Sequence, residues 1–361
     1  MPVTPLTGRR ADRRAAPWSF GAPWGARGWY SDLAGPVHWV EFGAPKPGSS
    51  PTGAEAATPT GKTDPATDSP ADTPANSLAD TDTEAGAPPI VLVHGLGGSH
   101  LDWAPLGPGL AEGRRVVALD LRGFGLTPGE GRAATVMANV DLLDRFLREV
   151  LGRPAVLVGN SMGGLISLLQ ADRNPETVAG LALLDPALPQ PGPRPELRVI
   201  GLALACVLPG IGELALRAER TFITPRQRVQ NVLAHCFADP SRASDELVEA
   251  LVAMAEWRLR RADNVAPFLA AIRSTIPLVA GRRHRGAMAA VQVPVLLIHG
   301  EQDRLVAAES SRAAAAANPR WRTRFLPGVG HMPQAEAPEL VLDTMADWLA
   351  DHPTLRAEPL S

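Results

Sequence analysis

Short apolar runs recur along the chain beyond residue 89, and most are followed by a helical pattern. The stretch 136–151 has Val140, Leu143, Leu147 and Val150 at three- and four-residue spacing, as expected on one face of a helix. Buried strands that alternate with helices predict a mostly parallel sheet covered on both faces, which is the mark of an α/β domain. The predicted strands are IVLVHG (90–95), RVVALDLRG (115–123), AVLVGNS (155–161), GLALLDP (180–186) and PVLLIHGEQD (294–303).

Residues 44–89 interrupt this pattern. They consist largely of Pro, Thr, Ala, Asp and Gly, and Leu78 is their only large aliphatic residue. Such a segment cannot bury enough apolar surface to offset the entropy of ordering it, which predicts a disordered insertion. The flanking stretches VHWVEFG (37–43) and PPIVLVHG (88–95) have the pattern of strands, so we expect the insertion to replace a hairpin turn.

The sequence divides into four predicted parts. They are an N-terminal arm with a first strand (1–43), the disordered insertion (44–89), an α/β core (90–186 and 292–352) and an α-helical cap (187–291). In the arm, several tryptophans lie among glycines and prolines without a helical or alternating period. This predicts an irregular segment that packs over the domain.

The predicted cap, residues 187–291, contains only helical signals. Thr224 followed by proline predicts one capped helix, and Ser244 followed by acidic residues predicts another that runs to Trp257. The stretch 199–216 is strongly apolar but is interrupted by a proline, a glycine and a glutamate. We therefore expect it to pack on the core or line an apolar pocket, and no integral membrane segment is predicted.

Composition narrows the classes of function. The 361 residues are 45% hydrophobic with a net charge of −3, which fits a globular protein and argues against a nucleic-acid partner. The only lysines, Lys46 and Lys62, lie in the insertion, so chemistry that needs a positioned lysine is disfavoured. Cys206 and Cys236 lack zinc-site spacing and are expected to be buried side chains. The N-terminal arginines precede no unbroken apolar run, which favours a cytoplasmic location.

The stretch GNSMG (159–163) places Ser161 between two glycines, at the end of a predicted strand and before a predicted helix. Glycines two residues before and two after the serine let the chain turn sharply and expose the hydroxyl in a strained conformation. This pattern is the nucleophile elbow, and it predicts Ser161 as a nucleophile.

A serine hydroxyl needs a base to remove its proton. Of the eight histidines, His331 is the best candidate, because it follows a glycine in a loop just before the last predicted helix. The weaker candidates are His299 at a strand end, His235 and His284 in the predicted cap, and His38, His100 and His352, which have no supporting context.

The base in turn needs a carboxylate to orient it. Asp303 follows an apolar strand and precedes His331 by 28 residues (331 − 303), and we favour it over Asp185, which ends the strand GLALLDP. For the oxyanion, HGLGG (94–98) follows a strand, and we predict the N–H groups of Leu96 and Met162 as donors. A phosphate-binding loop is the alternative, but this one lacks the spacing of a dinucleotide fingerprint.

Together these motifs resemble those of serine hydrolases with the α/β-hydrolase fold, the broad group of esterases, lipases and C–C hydrolases. The resemblance covers about residues 30–350. It implies a mostly parallel sheet flanked by helices with an inserted α-helical cap, and catalytic residues in the order Ser161, Asp303, His331. The matching segments are HGLGG, DLRGFG (120–125), GNSMGG (159–164), GEQD (300–303) and GHMPQAEAPE (330–339).

The expected activity is hydrolysis of a small carboxylic ester with an apolar acyl or alcohol part, with no metal or organic cofactor. Relatives with an aspartate nucleophile are disfavoured, because position 161 is serine. Meta-cleavage-product C–C hydrolases are similar in GNSMGG, including Asn160, but typically have tryptophan where Met332 stands here. C–C hydrolysis is thus one alternative, and a non-catalytic ligand-binding protein of this fold is another.

Overall fold

The computed structural model describes residues 11, 13–16, 20–43, 86–129, 131–189, 208, 210–260 and 265–356. Within these ranges, nine strands form one sheet in the order β1-β2-β3-β5-β4-β6-β7-β8-β9. The pairs β1–β2, β2–β3 and β3–β5 are antiparallel, and every other neighbouring pair is parallel. The strands are β1 (Arg13–Ala15), β2 (Ala26–Asp32), β3 (Pro36–Phe42), β4 (Ile90–Val93), β5 (Val116–Leu119), β6 (Ala155–Asn160), β7 (Val178–Leu184), β8 (Val295–Gly300) and β9 (Arg322–Leu326).

Helices connect most of the parallel strands, and a run of five helices lies between β7 and β8. A π-helical turn, Phe146–Leu151, continues α2. The α-helices in the described ranges are α1 (Gly107–Leu110), α2 (Val136–Arg145), α3 (Met162–Arg173), α4 (Ile211–Phe222), α5 (Pro225–Cys236), α6 (Asp245–Leu259), α7 (Val265–Ala280), α8 (Arg282–Ala290), α9 (Ala308–Ala317), α10 (Pro333–Glu336) and α11 (Pro338–Ala350). We call α4–α8 the helical segment.

The central strands are apolar throughout because both of their faces are covered. Every residue of β4 is buried. Successive side chains of a strand point to opposite faces, so Val91 and Val93 pack in one core cluster and Ile90 and Leu92 in the other. A core on each side of a mostly parallel sheet confirms the predicted α/β architecture.

The loops that follow β4, β5, β6, β7 and β8 all leave from one edge of the sheet, because these strands are parallel. The helical segment contacts this edge. A Cβ built on Gly97, in the loop after β4, would lie 3.4 Å from the Phe268 ring on α7. Arg258 Nη2 on α6 donates to the carbonyl oxygen of Gly123, after β5, at 3.1 Å.

Two expectations for the N-terminal part are wrong. Residues 26–32 form β2, which pairs with β3 along its whole length, although its central residues 28–30 are only half-buried and give no clear alternation. The insertion does not replace a hairpin turn, because β5 lies between β3 and β4 and pairs with both. Residues 44–85 and Cys206 lie outside the described residues, whereas Pro88 and Pro89, at the end of the predicted insertion, are buried.

The helix starts predicted in the helical segment are confirmed. Thr224 Oγ1 accepts a hydrogen bond from Gln227 N, and Ser244 Oγ accepts one from Leu247 N, each at 3.2 Å. Most of the apolar stretch 199–216 lies outside the described residues. At its end, Ile211 and Leu214 on α4 are 50% and 70% exposed, so packing on the core is wrong for these two, whereas the lining of a pocket stays a prediction.

None of the helices in the described ranges combines the length and the apolar character needed to cross a bilayer. The cytoplasmic location stays a prediction.

Candidate active site

Ser161 occupies a sharp turn between β6 and α3. Its backbone has φ +52° and ψ −117°, and residues with a Cβ rarely adopt a positive φ. The turn is held on both sides, because Ser161 N donates to Leu184 O and Ser161 O accepts from Ala187 N, both at 3.0 Å. A Cβ at Gly163 would lie 2.0 Å from Val93 O, so the helix can approach β4 this closely only with glycine there.

The structure brings His331 and Asp303 into direct contact. His331 Nδ1 lies 2.7 Å from Asp303 Oδ2. The other oxygen, Oδ1, accepts hydrogen bonds from Leu305 N at 2.7 Å and Val306 N at 3.0 Å. Burial opposes the charge of Asp303, but the interaction with His331 and these hydrogen bonds outweigh it and hold the pKa of the carboxyl below its usual range. Because Nδ1 faces the carboxylate, Nε2 is the nitrogen left to exchange a proton.

Asn160 links the serine turn to the histidine loop. Its Nδ2 donates to Leu184 O at 3.1 Å and to His331 O at 2.9 Å. The residue immediately before Ser161 is therefore fixed to the main chain of His331. In the sequence Asn160 stood out only through the resemblance, because a bridge between two distant carbonyl groups leaves no local pattern.

The glycine loop after β4 packs against Ser161. A Cβ at Gly95 would lie 3.3 Å from Ser161 Cβ, and Gly97 has φ +80°, so both positions favour glycine. Leu96 lies between them. Met162 is the first residue of α3, where an N–H group has no acceptor within the helix. The loop and the helix start that carry the two predicted donors are thus adjacent.

His94 shapes this loop as a neutral side chain. Its Nδ1 lies 2.7 Å from Gly95 O, so Nδ1 carries the proton, and its Nε2 accepts from Leu121 N at 3.0 Å. Burial lowers the pKa of His94 to about 4. One ring therefore connects the loop after β4 to the loop after β5.

A buried cluster of His38, His100 and Asp120 supports the same two loops. Asp120 accepts from His38 Nδ1 at 2.8 Å, from His100 N at 2.7 Å and from Leu126 N at 2.9 Å. Burial raises the cost of its charge, but the interactions with both histidines outweigh this and hold the pKa of Asp120 well below its usual range. Local sequence patterns assigned no role to His38 and His100, because their shared partner Asp120 lies 82 and 20 residues away along the chain.

Glu336 joins the histidine loop to the helical segment, although its side chain is fully buried. One carboxyl oxygen accepts from Gly330 N at 2.6 Å and from Ala238 N at 3.1 Å. The other accepts from Asp239 N at 2.9 Å and faces Arg242 Nη1 at 3.4 Å. Besides this link, His331 N donates to the carbonyl oxygen of Cys236, a half-buried residue, at 2.6 Å.

Of the weaker candidates, Asp185 and His299 lie beside the Asp303–His331 pair. His299 Nε2 is 3.4 Å from both Asp185 Oδ1 and Asp303 Oδ2. The remaining candidates have other surroundings: His235 Nδ1 lies 2.6 Å from Asn231 O in α5, His352 Nδ1 lies 2.7 Å from Trp348 O, and His284 is buried.

A serine at a strained strand-to-helix turn, a histidine–carboxylate pair and a glycine loop, all on one edge of a mostly parallel sheet, define the α/β-hydrolase class. The model of the family described as alpha/beta hydrolase fold matches residues 88–338. The chain belongs to this family.

Three curated proteins show what this chain is similar to in sequence. The acetyltransferase component of the acetoin cleaving system of Pseudomonas putida is 31% identical over 74% of this chain, which spans 65% of that protein's length. The pimeloyl-[acyl-carrier protein] methyl ester esterase of Aromatoleum aromaticum is 31% identical over 70% of this chain and 94% of its own. A 2-hydroxy-6-oxononadienedioate/2-hydroxy-6-oxononatrienedioate hydrolase of Cupriavidus pinatubonensis is 26% identical over 75% of this chain and 89% of its own.

Proposed function

We propose that this protein is a serine hydrolase that cleaves a carboxylic ester through an acyl-enzyme. His331 Nε2 takes the proton of Ser161 as Oγ attacks the ester carbonyl, and the N–H groups of Leu96 and Met162 hold the oxyanion. His331 then protonates the departing alcohol. Water, activated by the same nitrogen, attacks the acyl-enzyme and releases the acid and the free serine. Asp303 keeps the ring oriented and stabilises its charged form.

The observation that carries this proposal is the 2.7 Å pair of His331 Nδ1 and Asp303 Oδ2, tied through Asn160 to the turn that holds Ser161. An imidazole held this way has one nitrogen engaged and the other available as a base, which is what activation of a serine requires. The similarity to the esterase from A. aromaticum, which extends over 70% of this chain and 94% of that protein, adds support for ester cleavage.

The neighbouring side chains favour an apolar substrate. Leu96 and Phe268 are partly buried and pack against the core cluster that contains Met162. Met332, the residue after His331, packs against the apolar cluster that contains Leu233 and Phe237. We assign the helical segment the role of a cap, because its residues contact the loops after β4 and β5 and the histidine loop.

A fluorophosphonate probe tests the nucleophile directly. We expect the probe to label the wild-type protein and to leave Ser161→Ala unlabelled while circular dichroism shows an intact fold. Ser167→Ala is the matched control, since Ser167 lies on α3 with its hydroxyl donating to Gly163 O at 2.8 Å, and it should label normally. Labelling of Ser161→Ala would remove Ser161 from its role.

A substrate panel then tests the bond that is cleaved. Nitrophenyl esters of increasing acyl length should be hydrolysed, with kcat/KM rising with chain length if the apolar side chains line the pocket. A meta-cleavage vinylogous diketone belongs in the same panel, because the relative from C. pinatubonensis is a hydrolase named for such compounds. Turnover of the diketone alone would favour C–C hydrolysis, and ligand binding without any turnover would favour a non-catalytic protein.

A further inference from the structure

Two buried carboxyl groups lie side by side next to His331. Asp185 follows β7 and Asp303 follows β8, and these parallel strands are neighbours, so both residues leave the sheet at the same edge. A carboxyl oxygen of each and a ring nitrogen of His331 all lie within 4.8 Å of one another. Both side chains are fully buried. Two like charges this close in a buried site cannot both be maintained, so one of the two acids holds a proton.

The hydrogen bonds identify Asp303 as the charged member. Both of its oxygens face donors, namely the N–H groups of Leu305 and Val306 and the ring of His331. His299 does not distinguish the two acids, because its Nε2 donates to the carbonyl oxygen of Val306 at 2.9 Å and lies 3.4 Å from both Asp185 Oδ1 and Asp303 Oδ2.

Asp185 is in the opposite situation. Its Oδ1 accepts from Gly300 N at 2.9 Å, but no donor faces the buried Oδ2 among the described residues. A carboxyl oxygen of Asp185 lies within 4.8 Å of one of Asp303. An acceptor without a donor is costly when buried, whereas a protonated Oδ2 would donate to the neighbouring carboxylate. The backbone of Asp185 also has a positive φ of +43°, as Ser161 does at +52°. Strained backbone conformations of this kind cluster at functional positions.

Resting on the function proposed above, we infer that Asp185 is a positioning residue: a neutral carboxylic acid whose hydroxyl donates a hydrogen bond to Asp303 and fixes that carboxylate against His331. Its proton stays on Asp185 throughout the reaction, so Asp185 neither takes a proton from the serine nor gives one to the leaving group.

The surrounding titratable groups agree with this assignment. Burial first, and then repulsion from Asp303, raise the pKa of Asp185 well above its usual range. From the other elements packed here, Glu336 on α10 adds further repulsion. His299 on β8 and His331 face both carboxyls, and burial raises the pKa of the Cys236 thiol on α5 to about 12, which keeps this group uncharged.

Two substitutions test whether Asp185 is neutral or charged in the folded protein. Asp185→Leu removes the donor, and we expect kcat to fall at least tenfold with KM little changed. Asp185→Asn supplies an N–H donor in place of the hydroxyl, and we expect it to recover most of the loss without moving the acidic limb of the pH profile of kcat/KM. The exposed Asp343→Asn on α11 is the matched control.

A charged Asp185 would give a different profile. A negative charge about 5 Å from the imidazole, at an effective dielectric constant of about 20, would move the acidic limb by roughly two pH units when it is removed. Such a shift in Asp185→Asn would overturn the inference, and so would equal loss of kcat in Asp185→Asn and Asp185→Leu.

Infrared spectroscopy tests the proton without relying on activity. The carbonyl stretch of a protonated carboxylic acid should persist in the wild type up to at least pH 9, and should be absent from Asp185→Asn. Asp102 is the internal control, because burial raises its pKa to about 7, so its band should disappear as the pH rises through neutrality.

If Asp185→Asn does not fold, a pH titration of the wild type with ¹³C-labelled aspartate still counts the protonated aspartates at pH 9. No such band at pH 9 refutes the inference. A persistent band in a protein that hydrolyses no ester refutes the proposed function alone.

Discussion

The Glu336→Gln substitution offers the sharpest test of how the histidine loop is held. The buried carboxyl accepts hydrogen bonds from three backbone N–H groups, and glutamine keeps only one of its two acceptor oxygens. In either orientation of the amide, its NH₂ group faces a backbone N–H group. Losing one or two hydrogen bonds to a charged group at about 1.5–3 kcal/mol each, and leaving a buried donor unpaired, should lower the free energy of unfolding by about 3–5 kcal/mol.

Urea unfolding measures this change as a lower transition midpoint at constant slope. We also expect kcat to fall, because Gly330 precedes His331 and loses its anchor. Glu339→Gln is the matched control: it makes the same chemical change on an exposed side chain of α11 and should alter stability by no more than about 0.5 kcal/mol. Equal stability of the two variants would refute the reasoning.

Two further predictions concern stability. Gly163→Ala brings a methyl group to 2.0 Å from Val93 O and should lower the free energy of unfolding by about 3 kcal/mol or more. Gly286→Ala on α8 has nothing within 4 Å and should raise the free energy of unfolding by about 1 kcal/mol. Urea unfolding that ranks the two variants in the opposite order would contradict this. Because the pKa of Asp120 is lowered in the folded state, its contribution to stability is fully present above about pH 5. It declines once the pH falls below the unfolded value of about 3.9 and is gone below the lower pKa of the folded state. Asp120→Asn, although less stable at neutral pH, should therefore lose less stability between about pH 5 and pH 2, and an unchanged acid dependence in calorimetry would show that other groups cause it.

The parts of the fold that follow from local pattern were predictable. Continuous apolar runs marked the buried parallel strands, and Thr224 and Ser244 marked helix starts, because burial and capping act through residues close in sequence. β2 and β9 were not predicted. β9 is mostly exposed or half-exposed, and β2 depends on pairing with β3, so neither has an apolar signature of its own.

The candidate site divides in the same way. Ser161, Asp303 and His331 were chosen from local motifs, and the structure places the last two in contact; their catalytic roles stay predictions. The roles of the other residues depend on contacts between distant parts of the chain. These contacts are Asn160 with His331, Glu336 with Ala238, and Asp185 with Asp303, and each joins residues more than 90 positions apart. Such contacts arise only when strand ends and loops converge, and no spacing along the sequence reports them.

The attachment points of the long Pro/Thr/Ala-rich stretch have a practical consequence. In the sheet register, Phe42, at the end of β3, and Ile90, at the start of β4, both sit opposite Val116. One strand, β5, lies between these two points, so the chain leaves and re-enters the sheet about 10 Å apart, at the edge opposite the loops that carry the proposed site. Length or cargo grafted between these two anchors need not obstruct the entrance to the reaction centre.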